Sequence, residues 1–197
     1  MTHPGGDVAA TPGAHVLLDR FIRLHAAHLD RAAGSAQHLA SLIGDLGRLG
    51  TDAPAPHLAT VAATELIVRV VDEVRVVHGG THPVTIDAPA DAAVHADPHL
   101  LRRVLTNLIG NAVRHTPVGT VVTVTVSPCT DEGGTGRRTI TVEDNGTGFD
   151  PDAPTERLGL LLVRELTQRM GGTLTIDARS GRGTRAVVSL GAPCPPM

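Results

Sequence analysis

Phe21 and Phe149 are the only Phe, Tyr or Trp side chains in 197 residues. The core of this chain must therefore be aliphatic, built from Val, Leu, Ile and Ala. The length suits one full domain plus one extra element, and burying a sizeable core is no difficulty. All 17 basic residues are Arg, and the net charge is −3, so there is no basic footprint for nucleic acid. No apolar run approaches the ~18 to 20 residues that span a bilayer. Residues 1–13 lack the basic start and apolar stretch of a signal peptide. Cys129 and Cys194 sit in Pro- and Gly-rich segments and form neither a disulfide framework nor a metal-ligand pattern. A reducing cytoplasm is the expected location.

The chain divides by composition and period. Residues 1–13 are rich in Gly, Pro and Ala and are expected to be disordered. From 14 to 50, Leu18, His25, Ala32, Leu39 and Leu46 recur every seven residues, with Ile22, Leu29, Ala36 and Ile43 completing the seam. This heptad predicts one long helix packed on a partner helix, hence a homodimer. Folding back on its own domain is the plainer alternative. Residues 51–56 (TDAPAP) form a linker, 57–191 a domain and 192–197 a tail.

Within 57–191, strands are predicted near 58–62, 83–87, 93–95, 120–127, 139–143, 173–178 and 185–190. Helices are predicted over 65–77, with Thr64 as N-cap, from Asp97-Pro98 onward, and over 158–170. The Gly-rich stretch DEGGTG reads as a turn. The result is an α/β two-layer sandwich, a mixed sheet with helices on one face, preceded by the long N-terminal helix.

Four short segments carry candidate chemistry. On the helix after Asp97, with apolar stripe Leu101, Val104, Leu105, Leu108 and Ala112, the residues Asn107, Asn111 and His115 lie four apart and share a face away from that stripe. An Asn oxygen there is able to hold Mg²⁺ together with phosphate; a solvated polar face gives the same letters. VEDNGTGFD follows a strand, where a carboxylate beside close-approaching backbone suits an exocyclic amine. An ordinary Asn-Gly turn also fits it. Leu158-Gly159-Leu160 reads as a helix start with free N–H groups for phosphate. Gly181-Arg182-Gly183-Thr184-Arg185 turns into the last strand.

In order and spacing, the segments VHADPHLLRRVLTNLIGNAVRHTP, VEDNGTGFD, RLGLLLVRELTQRMGG and SGRGTRAVVSL resemble the boxes of the GHKL superfamily, whose ATP-binding domain has the Bergerat fold. The resemblance spans about residues 58–191 and is to the bacterial sensor histidine kinase branch. It implies ATP and Mg²⁺ as cofactors. Asn111 is then the metal ligand, and Asp144 receives the adenine amine. Gly146 and Gly148 shape the adenine pocket, and Thr184 lies near the base. The nucleotide set implied is Asn107, Asn111, Arg114, His115, Asp144, Gly146, Gly148, Phe149, Arg157, Leu158, Gly159, Leu160 and Thr184. ATP-hydrolysing relatives resemble E-x-x-x-N; here the Glu position is Asn107, and a neutral amide is no general base. Phosphoryl transfer is thereby favoured over hydrolysis, with a response regulator or another signalling protein as partner.

Only eight residues, DPDAPTER, separate Phe149 from Leu158, so the lid is short. Arg157 stands where the G2 box has its first Gly; its guanidinium suits phosphate, and its bulk crowds the lid hinge. The family's phospho-acceptor helix resembles H-E-x-x-T-P. His25 and His28 are the available acceptors, but neither has an acidic neighbour, and His25 lies on the seam. Self-phosphorylation is therefore expected to be weak and the acceptor to lie on another protein. The alternative function is a docking or phosphotransfer scaffold without catalysis.

Overall fold

The computed structural model describes residues 54–132, 135–148, 154–178 and 183–193. The heptad segment, with His25 and His28, lies outside the described residues, as do Phe149 and the Gly181-Arg182 pair.

Strand β1 (Ala59–Ala62) runs straight into helix α1 (Ala63–Val77). The N-cap of α1 is Ala62, with no side-chain cap, and this corrects the expectation for Thr64. The Thr64 hydroxyl instead donates to the Pro89 carbonyl at 2.7 Å. Strands β2 (Val84–Asp87) and β3 (Ala93–Ala96) follow, and then helix α2 (Pro98–Arg114). Strands β4 (Val122–Val126), β5 (Thr130–Glu132) and β6 (Thr135–Asp144) precede helix α3 (Pro154–Arg169). Strands β7 (Thr173–Ala178) and β8 (Thr184–Gly191) complete the domain.

β1 and β3 pair antiparallel as a small sheet. The main sheet runs β2-β4-β6-β8-β7, with β5 paired to β6. β2 and β4 are parallel and the other pairs antiparallel, so the sheet is mixed, as expected. Alternation decides which face is covered. Val122, Val124 and Val126 on β4, and Ala186, Val188 and Leu190 on β8, are buried. α2 and α3 pack on this layer and on each other, and α1 packs beside α2. The core is aliphatic: Ile67, Leu101, Leu105, Ile109, Ile140, Leu162, Leu166 and Leu190 are its largest fully buried side chains.

Two boundaries and one covalent bond differ from the sequence reading. The DEGGTG turn is narrower than expected, because Thr130↔Arg137 and Glu132↔Thr135 are already in ladder register. Only two residues of sequence, 133 and 134, lie between the paired Glu132 and Thr135. α3 begins at Pro154 rather than Leu158, since Pro is preorganised for the first helical turn. Gly159 is consequently inside the helix and does not offer end N–H groups. Finally, Cys129 is disulfide-bonded, against the expectation of no disulfide. Such pairing follows from tertiary proximity, which spacing along the chain does not reveal. The only other cysteine, Cys194, lies outside the described residues. No described helix is long and apolar enough to cross a membrane.

Candidate functional site

The site is set by one helix and two strand ends. α2 starts where Asp97 accepts the N–H groups of His99 and Leu100 at 2.9 and 3.2 Å, with Pro98 at the first helical position. Its other carboxylate oxygen accepts the His57 N–H at 2.9 Å. Burial alone would raise the Asp97 pKa, but these three backbone donors outweigh it and hold the carboxyl below its usual range. From that fixed start, the helical period sends Leu101, Val104, Leu105, Leu108 and Ala112 into the core, all buried as expected. It brings Asn111 and His115 to the wall of a cleft.

The cleft floor comes from the sheet. Asp144 is the last residue of β6, and Thr184 is the first of β8; the two are cross-strand partners. Asp144 is only 5% exposed. Its Oδ1 accepts the Gly146 N–H at 2.9 Å, which fixes the carboxylate orientation. Gly146 has no positive φ, but a Cβ there would stand 2.6 Å from Thr116 Cγ2 and 2.9 Å from that same Oδ1. Gly is required by close approach, and an Asn-Gly turn geometry does not account for it. Asn145 is a strut: its Oδ1 accepts the Val121 N–H at 2.8 Å and ties the loop to the start of β4.

The cleft encloses about 550 Å³, its open mouth included. Leu108, Ala112, Val142, Leu160, Ile176 and Ala186 supply apolar wall, while Asn111, His115, Thr116, Asp144 and Thr184 supply polar groups. Of the residues singled out from the sequence, Asn111, His115, Asp144, Gly148, Leu160 and Thr184 line this cleft together. Gly146 sits behind Asp144, and Arg114 reaches the site through Asn111. Gly159 is buried in α3, and Arg157 and Leu158 lie in the same helix without described side chains.

Asn107 departs from expectation. It is 7% exposed, its Nδ2 donates to the Arg103 carbonyl at 2.9 Å, and it does not line the cleft. One helical turn before Asn111 the polar face has already rotated under its neighbours. Thr116, Val142 and Ile176 were not legible in advance. Thr116 follows the helix end, and the two apolar residues look like ordinary strand core until the sheet is folded. The electrostatics are cationic at one end. Burial, then the Arg114 charge beside it, lowers the His115 pKa below the ordinary imidazole value.

Comparison with known proteins places this geometry. Residues 96–193 match the family model described as histidine kinase-, DNA gyrase B-, and HSP90-like ATPase. Those residues belong to that family. The same segment holds α2, the cleft strands and α3. Over 127 residues the chain is 35% identical to the histidine protein kinase DivJ of Caulobacter vibrioides, covering 55% of this chain and 20% of the relative. Over 186 residues it is 32% identical to the virulence sensor protein BvgS of Bordetella bronchiseptica, covering 81% and 15%. The chain thus spans a fifth or less of these curated relatives. Among solved structures, full-length ShkA in complex with AMPPNP superposes with a TM-score of 0.66 at 27% identity, covering 89% of this chain and 40% of ShkA. The mycobacterial sensor histidine kinase MprB superposes with a TM-score of 0.59 at 25% identity, covering 71% and 99%. The fold is that of the ATPase domain of sensor histidine kinases.

Proposed function

We propose that the cleft binds Mg-ATP and that this domain donates the γ-phosphoryl group to a protein partner, a response regulator or another signalling protein. The observation that carries the reading is Asp144, a buried carboxylate at the floor of an apolar-walled cleft with Asn111 on the wall. Apolar walls accept the faces of a planar base. A carboxylate has about four lone-pair sites, of which Gly146 occupies one, so acceptor capacity remains for an exocyclic amine. The Asn111 oxygen is a hard ligand of the kind Mg²⁺ takes beside phosphate oxygens. When bound, the metal would neutralise charge on the phosphates.

Asn107 supports transfer over hydrolysis. In the sequence motif it stands where hydrolysing relatives have a Glu, and a neutral amide, whose Nδ2 here donates to the Arg103 carbonyl, is no general base. His25 and His28 lack an acidic neighbour, so the acceptor is assigned to the partner. The heptad over residues 14–50 is proposed to join two copies.

Calorimetry on the full chain tests the reading. ATP or ADP with Mg²⁺ is expected to bind, and Asp144→Ala is expected to weaken binding by about 1–3 kcal/mol, the cost of an unpaired buried polar group. No heat at millimolar nucleotide overturns it. With γ-labelled ATP, label is expected on a partner regulator rather than on this chain. Rapid acid-labile labelling of the chain alone, lost in His25→Ala or His28→Ala, would make it an ordinary autokinase.

A further inference from the structure

We propose that Arg114 is a positioning residue for the metal, acting through Asn111, and that Gly110 provides its seat. The inference rests on the Mg-ATP reading above and deepens it.

Arg114 Nη2 donates to Asn111 Oδ1 at 2.8 Å, across the i,i+3 spacing of α2. The two ends of an Asn amide are nearly alike in shape and opposite in chemistry: one oxygen accepts, one NH₂ donates. A guanidinium carries donors alone. It therefore holds the amide by its oxygen and excludes the flipped orientation, in which two donors would face each other. That oxygen has two lone pairs, so one taken by Arg114 leaves one for a hard cation. The guanidinium makes the bond charge-assisted, and burial, which lowers the Arg114 pKa, withdraws it partly from water.

Gly110 lets this arrangement form. A Cβ at Gly110 would stand 3.2 Å from Arg114 Nη1, 3.4 Å from Nη2 and 3.5 Å from Cζ. The guanidinium thus lies back along the helix over the missing side chain, beside Asn111. A larger residue at 110 would press it outward. Gly110, Asn111 and Arg114 make one unit on a single helical turn.

The charge of Arg114 adds a selectivity. A bare divalent cation meets the guanidinium that is hydrogen-bonded to its ligand and is repelled. A cation that arrives with phosphate oxygens is not, because the anion lies between. The unit therefore accepts metal as its nucleotide complex and rejects Mg²⁺ alone.

The test is calorimetric ATP binding to the full chain, in chelator and across a Mg²⁺ series, for the wild type, Arg114→Ala, Arg114→Lys, Asn111→Ala and the Arg114→Ala/Asn111→Ala double variant. Thermal midpoints report folding of each. Mg²⁺ is expected to tighten ATP binding to the wild type, and Mg²⁺ without nucleotide to give no heat. In Arg114→Ala the Mg²⁺ needed for half of that tightening is expected to rise about 10- to 100-fold, the usual effect of losing a partner that orients a metal ligand. Arg114→Lys is expected to restore part of the response. On the Asn111→Ala background, removing Arg114 is expected to change the metal response no further, as for two residues acting as one unit. Equal loss of affinity with and without Mg²⁺ in Arg114→Ala would assign the arginine to the phosphates and overturn the proposal. So would additive effects in the double variant. Wild-type protein that binds no nucleotide overturns the Mg-ATP reading and this one with it; wild-type binding with an unaltered metal response in Arg114→Ala overturns this one alone.

Discussion

Gly183 and Asp144 touch more closely than any side chain would allow. A Cβ at Gly183 would lie 1.9 Å from the Asp144 carbonyl oxygen, and its φ of +77° is one that L residues rarely adopt. The entry into β8 is thus pressed against the Asp144 backbone, so Thr184 and Asp144 are delivered as a pair. Single residues also set the response to acid. Burial, then Arg114, then His82 lower the pKa of His78, and burial and Arg114 lower that of His115. Both depart downward from 6.5, so the unfolded chain binds more protons than the folded one near and below that pH. The stability that neutral imidazoles contribute is complete above about pH 6.5 and is lost as pH falls through the lower folded values. Thermal midpoints across pH 5 to 8 are expected to fall from the neutral end, and His78→Gln is expected to flatten the slope. A midpoint that rises on acidification in this range would contradict the assignment.

Among the elements, α2 owes its start to the residue that caps it, Asp97. Asp97→Ala removes the acceptor for His99 and Leu100 and the tie to His57. A loss of about 0.5–2 kcal/mol is expected in denaturant unfolding. The contribution of Asp97, whose pKa is lowered from 3.8, is present above that value and lost as pH falls through the lower folded value. Wild type and variant are expected to converge at strongly acid pH, and an unchanged gap there would refute it. α2 was legible because Asp97-Pro98 and five periodic apolar residues agree on one helix. The start of α1 was not, because a hydroxyl at Thr64 looks like a cap until Pro89 is known to lie beside it. That Asn107 is buried was not legible, because a period gives direction around a helix but not how wide the packed stripe is. Asp144 and Thr184 were legible as separate turn residues; that they are cross-strand partners required the sheet.

At the scale of the whole molecule, the heptad predicts association. Light scattering is expected to give twice the 20.4 kDa chain mass for the full chain and the monomer mass for a chain beginning at Thr51. A full-length monomer would remove the dimer from the reading. The segment where the chain enters the described domain has contacts that bear on any such association. Arg169, at the end of α3, donates to the Pro54 carbonyl, and Asp97, at the start of α2, accepts the His57 N–H. These anchors lie roughly 13 Å along α3 from Leu160 and roughly 20 Å along α2 from Asn111, at the helix ends remote from the cleft. Residues 54–57 therefore join, through main-chain groups, the two helices that also carry Leu160 and Asn111 to the cleft.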